Sequence, residues 1–175
     1  MESRLVFNMT VVILNGSNGV GKDTFADMCS KYADTKHISS VDYVKEMALK
    51  IGWDGVKDED GRKFLHNLKL TLDAYHDTIW SDLMAKAEAE RLSGTEVLFV
   101  DIREPSEIRK AYKKFSDAEY TVCSALVTRD GVVADNEADK FVNDFDYDFY
   151  IDNNGTLEEL DRIAHHFAGL CVNFK

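Results

Sequence analysis

Gly16-Ser17-Asn18-Gly19-Val20-Gly21-Lys22-Asp23-Thr24 decides the reading of this chain. It follows Thr10-Val11-Val12-Ile13-Leu14, a β-branched apolar run that reads as a buried strand closed by Asn15-Gly16. It precedes a stretch with Phe25, Met28, Cys29 and Tyr32 at helical spacing, which predicts a helix over 21–32. Strand, G-x-x-x-x-G-K loop and helix in that order are the context a phosphate cradle requires. The glycines let the backbone curl so that its N–H groups face phosphate oxygens. The helix N-terminus adds a favourable dipole, and Lys22 supplies a positive charge between the β and γ phosphates. Asp23 stands where Ser or Thr usually follows the Lys. Two roles stay open for it: holding a metal-bound water, or favouring the first helical turn. Thr24 is the better candidate for contact with phosphate or metal hydration.

Outward from the loop, strands and helices alternate. Residues 36–40 predict a second strand and 41–51 an amphipathic helix ended by Gly52, and 53–61 read as a polar loop. From Arg62 to Leu92 there is no Gly or Pro, so one long helix or two abutting helices fit. Val97-Leu98-Phe99-Val100 is a third strand, and Pro105 suits the first turn of a helix running to about Phe115. Residues 120–127 and 147–151 predict two more strands, and Thr156-Leu157-Glu158-Glu159 is a capping box for a last helix. Such alternation predicts an α/β fold with a mostly parallel sheet.

Asp101 at the end of the third strand is the expected second acidic element for organising magnesium or its waters. Arg103, two residues on, lies where ligands bind beyond the carboxyl ends of parallel strands.

Gly21-Lys22-Asp23-Thr24 together with Asp101-Ile102-Arg103 and Glu107 resembles the P-loop nucleoside monophosphate kinases, most nearly those of phage type acting on deoxynucleotides. The animal-type phosphomevalonate kinases are a near relative. Asp42 and Lys45 sit where that family begins its substrate-side helix, and the residues from Tyr147 to Leu160 resemble its last strand, turn and helix. The resemblance implies a three-layer α/β/α P-loop domain with a five-stranded parallel sheet in the order 2-3-1-4-5. Its core would be residues 9–36, 94–128 and 145–175, with an acceptor-binding helical region at 37–92 and a lid at 129–143. ATP would lie on residues 16–24, that is Gly16, Ser17, Asn18, Gly19, Val20, Gly21, Lys22, Asp23 and Thr24. Mg2+ would be held near Thr24, Asp23 and Asp101. Lys22, Arg103 and Arg129 would act on the transferring phosphoryl group; Asp42, Lys45, Arg62 and Arg103 would hold the acceptor. The implied reaction moves the γ-phosphoryl of Mg-ATP to a (deoxy)nucleoside monophosphate. Alternatives are another small phosphorylated acceptor such as phosphomevalonate, or a nucleotide-binding module with little turnover. The lid departs from the family: among its residues only Arg129 and Lys140 are basic.

Composition excludes some classes of partner. The chain of 175 residues carries 21 basic and 32 acidic side chains, a net charge of −11, which argues against a nucleic-acid polymer as partner. Residues 129–161 hold 2 basic and 11 acidic side chains, so the acidity is concentrated there. Three cysteines without a CxxC pair predict neither a disulfide scaffold nor a zinc knuckle, and fit a reducing cytoplasm. No stretch reads as a membrane span or signal peptide; a homodimer stays open. Asp144, Asp146 and Asp148 alternate like the start of a calcium loop, but Phe149 and Gly155 occupy the positions that need Gly and Glu. His165 and His166 diverge on the last helix and cannot chelate one metal together.

Overall fold

Val11 to Leu14 has no accessible surface at all, and that continuous burial makes it a central strand rather than half of an amphipathic one. A computed structural model describes residues 8–75, 77–132 and 141–174. The elements are β1 (Thr10–Asn15), α1 (Lys22–Cys29), β2 (Thr35–Ser39), α2 (Asp42–Lys50), α3 (Glu59–Ala74) and α4 (Thr78–Ser93). They continue with β3 (Val97–Asp101), α5 (Pro105–Asp117), β4 (Thr121–Thr128), β5 (Phe149–Asp152) and α6 (Leu157–Asn173). The five strands form one parallel sheet in the order β2-β3-β1-β4-β5, with helices on both faces.

Alternation along the strands sorts the core. Val12, Leu14, Val97, Phe99, Ala125 and Val127 join Phe25, Cys29, Ala164 and Phe167 in one buried cluster, so this face of the sheet carries α1 and α6. Phe25 meets Phe167 edge-on at 5.3 Å and Phe99 at 6.4 Å. Helix α5 packs on β4 and β1, and its Ile108, Ala111 and Phe115 are fully buried. Each such large side chain contributes roughly 1.5–3 kcal/mol by leaving water.

Two compact units divide the chain. One comprises the residues up to Ile38 together with those from Glu90 onward; the other is Ser39–Ala89. The second unit is helical. Its α3 begins at Glu59, three residues before the expected start, because the Asp58 side chain accepts a bond from the Gly61 N–H and caps the helix. Gly61 reads as a loop residue, yet it is buried inside the first turn: a Cβ there would collide with the Val56 carbonyl and press on Trp53. The Gly-free stretch is two helices, broken around Tyr75 and Asp77, the latter at φ 55°. Strand β5 is shorter than expected, beginning at Phe149, although Tyr147 and Ile151 are both buried.

Candidate phosphate and metal site

Parallel pairing builds the site. Leu14 of β1 lies opposite Asp101 of β3, so the register sets the β3 carboxyl end two residues from the glycine loop. The chain order crosses from one side of β1 to the other here, which is the crevice position where α/β sheets bind ligands. Gly16 has φ 145° and Gly21 φ 96°, and side chains are excluded at both. A Cβ at Gly16 would meet the Val127 carbonyl and Val20, and one at Gly21 would strike the Asn153 amide. Gly21 is also the N-cap of α1 and brings no side chain to cap that end, where the helix dipole favours an anion. Lys22 Nζ reaches back to the carbonyls of Gly16 and Ser17, at 2.7 and 3.1 Å, and so spans the loop.

Two asparagines without a site signature in the sequence brace this loop. Asn15, fully buried, accepts from the Gly16 N–H at 2.8 Å through its Oδ1. Its Nδ2 donates to the Arg103 carbonyl at 3.0 Å and to the Tyr147 hydroxyl at 2.7 Å. One amide thus ties the loop's first residue, the segment after β3 and the chain entering β5. Burial is the largest influence on Tyr147 and pushes its hydroxyl up to about 12, so it stays a neutral donor, to the Val142 carbonyl at 2.7 Å. Asn153 donates from Nδ2 to the Val20 carbonyl at 2.7 Å and from its backbone N–H to the Thr128 carbonyl. An Asn-Gly strand end and an Asn-Asn turn are common loop signals, so only the fold shows that these amides meet the loop.

Asp23, in the first turn of α1, lies near Asp101 at the end of β3. Between them stands an unforeseen residue, His37 of β2. One ligand-capable atom from each of Asp23, His37 and Asp101 lies within 4.8 Å of the other two. His37 Nε2 is 3.0 Å from Asp101 Oδ1, and the imidazole meets Phe99 edge-on at 6.2 Å. The Asp101 carboxylate is the main influence on His37 and raises its pKa from the ordinary imidazole value; burial opposes it, and Asp23 and Asp27 add to the rise. Strand parity explains the meeting. Val97, Phe99 and Asp101 share the sheet face that carries α1, and Asp23 opens α1. Thr24 is exposed on the same first turn.

The remaining expected residues divide between the two units. Arg103 follows β3, and Arg129 stands exposed directly after β4, which runs beside β1 with Asn15 opposite Leu126. Asp42, Lys45 and Arg62 belong to the helical unit. Asp42 accepts the Ser39 N–H at 2.8 Å and pairs with Lys45 at 2.9 Å, so both of its oxygens serve the start of α2. The pair is partly buried and local, three residues apart on one helix. Arg62 is exposed on the first turn of α3. Trp80 is only 2% exposed and offers no face for stacking, whereas Tyr75 is 68% exposed. Of the lid, Arg129 to Val132 and Phe141 to Asn143 are described; Asp135, Glu137, Asp139 and Lys140 lie outside the described residues. Asp148, one of the alternating acids, accepts from the Ser124 N–H and the Tyr112 hydroxyl and so holds β4 to the chain entering β5. His165 and His166 are both exposed, and His165 stacks on Tyr32 at 4.4 Å. No helix among the described residues is long and apolar enough to cross a membrane.

No protein-family model matches this chain, and no curated protein matches it in sequence. Solved structures do match in shape. A variant of the Mycobacterium tuberculosis APS kinase aligns with a TM-score of 0.51 at 15% identity, over 93% of this chain and 99% of that one. The Deinococcus radiodurans tunicamycin resistance protein aligns with a TM-score of 0.54 at 15% identity, over 91% of this chain and 96% of that one. With its parallel sheet in the order 2-3-1-4-5 and helices on both faces, the chain has the α/β fold of the P-loop kinases.

Proposed function

We propose that this protein is a kinase that transfers the γ-phosphoryl group of Mg-ATP to the phosphate of a (deoxy)nucleoside monophosphate. The observation that carries the reading is the meeting of a complete glycine cradle and Lys22 with two carboxylates, Asp23 and Asp101, at one end of the sheet. Nucleotide phosphates supply negative charge, and the uncapped start of α1 and Lys22 receive it. The oxygen-rich set of Thr24, Asp23 and Asp101 would hold Mg2+, which would supply neutralisation of charge on the ATP phosphates.

The transfer is an in-line displacement: an acceptor phosphate oxygen bonds to the γ-phosphorus as the bond to the β,γ-bridging oxygen breaks, and ADP leaves. Lys22 exchanges its loop carbonyls for β and γ oxygens. Arg103 and Arg129, at neighbouring strand ends, neutralise charge on the moving group. Asp42, Lys45 and Arg62 hold the acceptor, Arg62 with the paired N–H geometry that fits a phosphate. Catalysis on this account is positioning and charge neutralisation, with no covalent enzyme intermediate.

ADP release with a panel of acceptors tests the reading. The panel holds the nucleoside and deoxynucleoside monophosphates, phosphomevalonate and APS. The expected result is stimulation by one or a few monophosphates, reduced by roughly 10²–10³-fold in Lys22→Ala. Stimulation by phosphomevalonate or APS alone keeps the kinase and replaces the acceptor. Tight ATP binding with no stimulation by any of them sinks the reading and leaves a nucleotide-binding module.

A further inference from the structure

Magnesium chemistry leaves one member of the carboxylate cluster unused. Mg2+ takes hard oxygen ligands and keeps its waters, whereas an imidazole nitrogen is a ligand of the first-row transition ions. We propose that Asp23, His37 and Asp101 form a binding site for a divalent first-row transition ion, of the Zn2+ and Co2+ kind, that fills without nucleotide.

Three observations carry the assignment. The donor atoms come from three separate segments, α1, β2 and the end of β3, yet all lie within 4.8 Å of one another. Ligand atoms around one such ion in a tetrahedral site are about 3.4 Å apart at a bond of roughly 2.1 Å, so the three side chains would draw inward to close on it. Second, the Asp101 Oδ1 atom is buried, and it faces His37, whose Nε2 lies 3.0 Å away. Two donor atoms at that separation are placed as neighbouring ligands of one ion are. Third, Asp23 is exposed, which gives an ion a way in from solvent. Phe99 packs beside the imidazole and restricts its swing. One nitrogen and two carboxylates fill three positions and leave the rest to water, the open arrangement of a metal site that also takes a second ligand.

The site shares two carboxylates with the kinase reading but depends on neither its acceptor nor turnover. The test is therefore made on untagged, nucleotide-free protein. Co2+ is titrated while its visible absorption is followed, and Zn2+ and Mg2+ are titrated by calorimetry. One Co2+ and one Zn2+ are expected per chain, with affinity for both falling at least tenfold in His37→Ala and in Asp101→Asn. Mg2+ binding is expected to change less than twofold in His37→Ala, which also reports that the variant is folded. A His165→Ala/His166→Ala double variant is expected to bind like the parent. Failure to see saturable one-to-one binding, or binding lost in the His165/His166 variant but kept in His37→Ala, overturns the proposal. Cobalt binding that tracks His37 in a protein showing no acceptor-stimulated ADP release overturns the kinase reading and leaves the metal site standing.

Discussion

The sheet unit and the helical unit are stabilised in different ways. In the first, β1 and β3 are buried along nearly their whole length, and α6 buries Leu160, Ala164, Phe167, Ala168 and Cys171. In the second, the sixteen residues of α3 bury only Gly61, while Leu65, Leu68 and Leu72 remain partly accessible and Leu70 is 56% exposed. Its other supports include surface pairs such as Lys86 with Glu46 and Asp82, each worth little in water. The phosphate cradle therefore stands on a close-packed base, whereas Arg62, one of the proposed acceptor residues, stands on a helix that buries little of its own surface. A kinase gains from that division: the common donor needs a fixed cradle, and the acceptor site is where a fold varies its specificity.

Core truncations probe the contrast most strongly. Phe99→Ala removes a fully buried ring from the sheet unit and is expected to cost about 3–5 kcal/mol. Leu72→Ala in α3 is expected to cost about 1 kcal/mol or less, because its side chain is only partly buried. Urea denaturation measures both, and comparable losses would erase the distinction drawn here.

A smaller effect is expected at the brace. Asn153→Ala removes the amide that meets the Val20 carbonyl, at a cost of about 1–3 kcal/mol, and loosens the loop from behind. ATP affinity should fall while the helical unit's protection from hydrogen exchange is unchanged. Unaltered ATP affinity would show that the loop keeps its shape without that amide.

The smallest effects belong to the helix caps, each worth about 1 kcal/mol. Asp58→Ala should fray the start of α3 in hydrogen exchange, whereas Thr156→Ala should leave α6 protected beyond its first turn, held by its buried face. The α6 cap also has a pH signature. Bonds from Thr156 hold the Glu159 carboxyl below the ordinary glutamate value. Its contribution is present above that ordinary value and is lost as pH falls through the lower, folded one. A Glu159→Gln variant, which cannot ionise there, should lose that pH dependence in urea denaturation, and one that keeps the parent's loss of stability in acid would contradict the assignment.

Much of the sheet unit was legible because its signals are local. An unbroken apolar run, a glycine loop with Lys22 and a proline opening α5 each announce an element within ten residues. The strand order came from the family resemblance, since nothing in the strands themselves says which neighbours they choose. The start of α3 was hidden because Gly61 reads as a breaker, and only the fold shows the close contact with Val56 that requires it. His37 was invisible for another reason. It sits in a short, polar edge strand, and its partners Asp23 and Asp101 lie far from it in the chain, so no spacing pattern joins the three. Asn15 and Asn153 passed as turn residues for the same cause.

The central claim is that Lys22 and its loop present ATP for transfer to a phosphate acceptor. Incubation with γ-labelled ATP and mixed nucleoside monophosphates, followed by separation of the products, tests it directly. The account predicts label on a nucleoside diphosphate, with that product lost in Lys22→Ala. Label found only in inorganic phosphate, or transferred equally well by the variant, would contradict it.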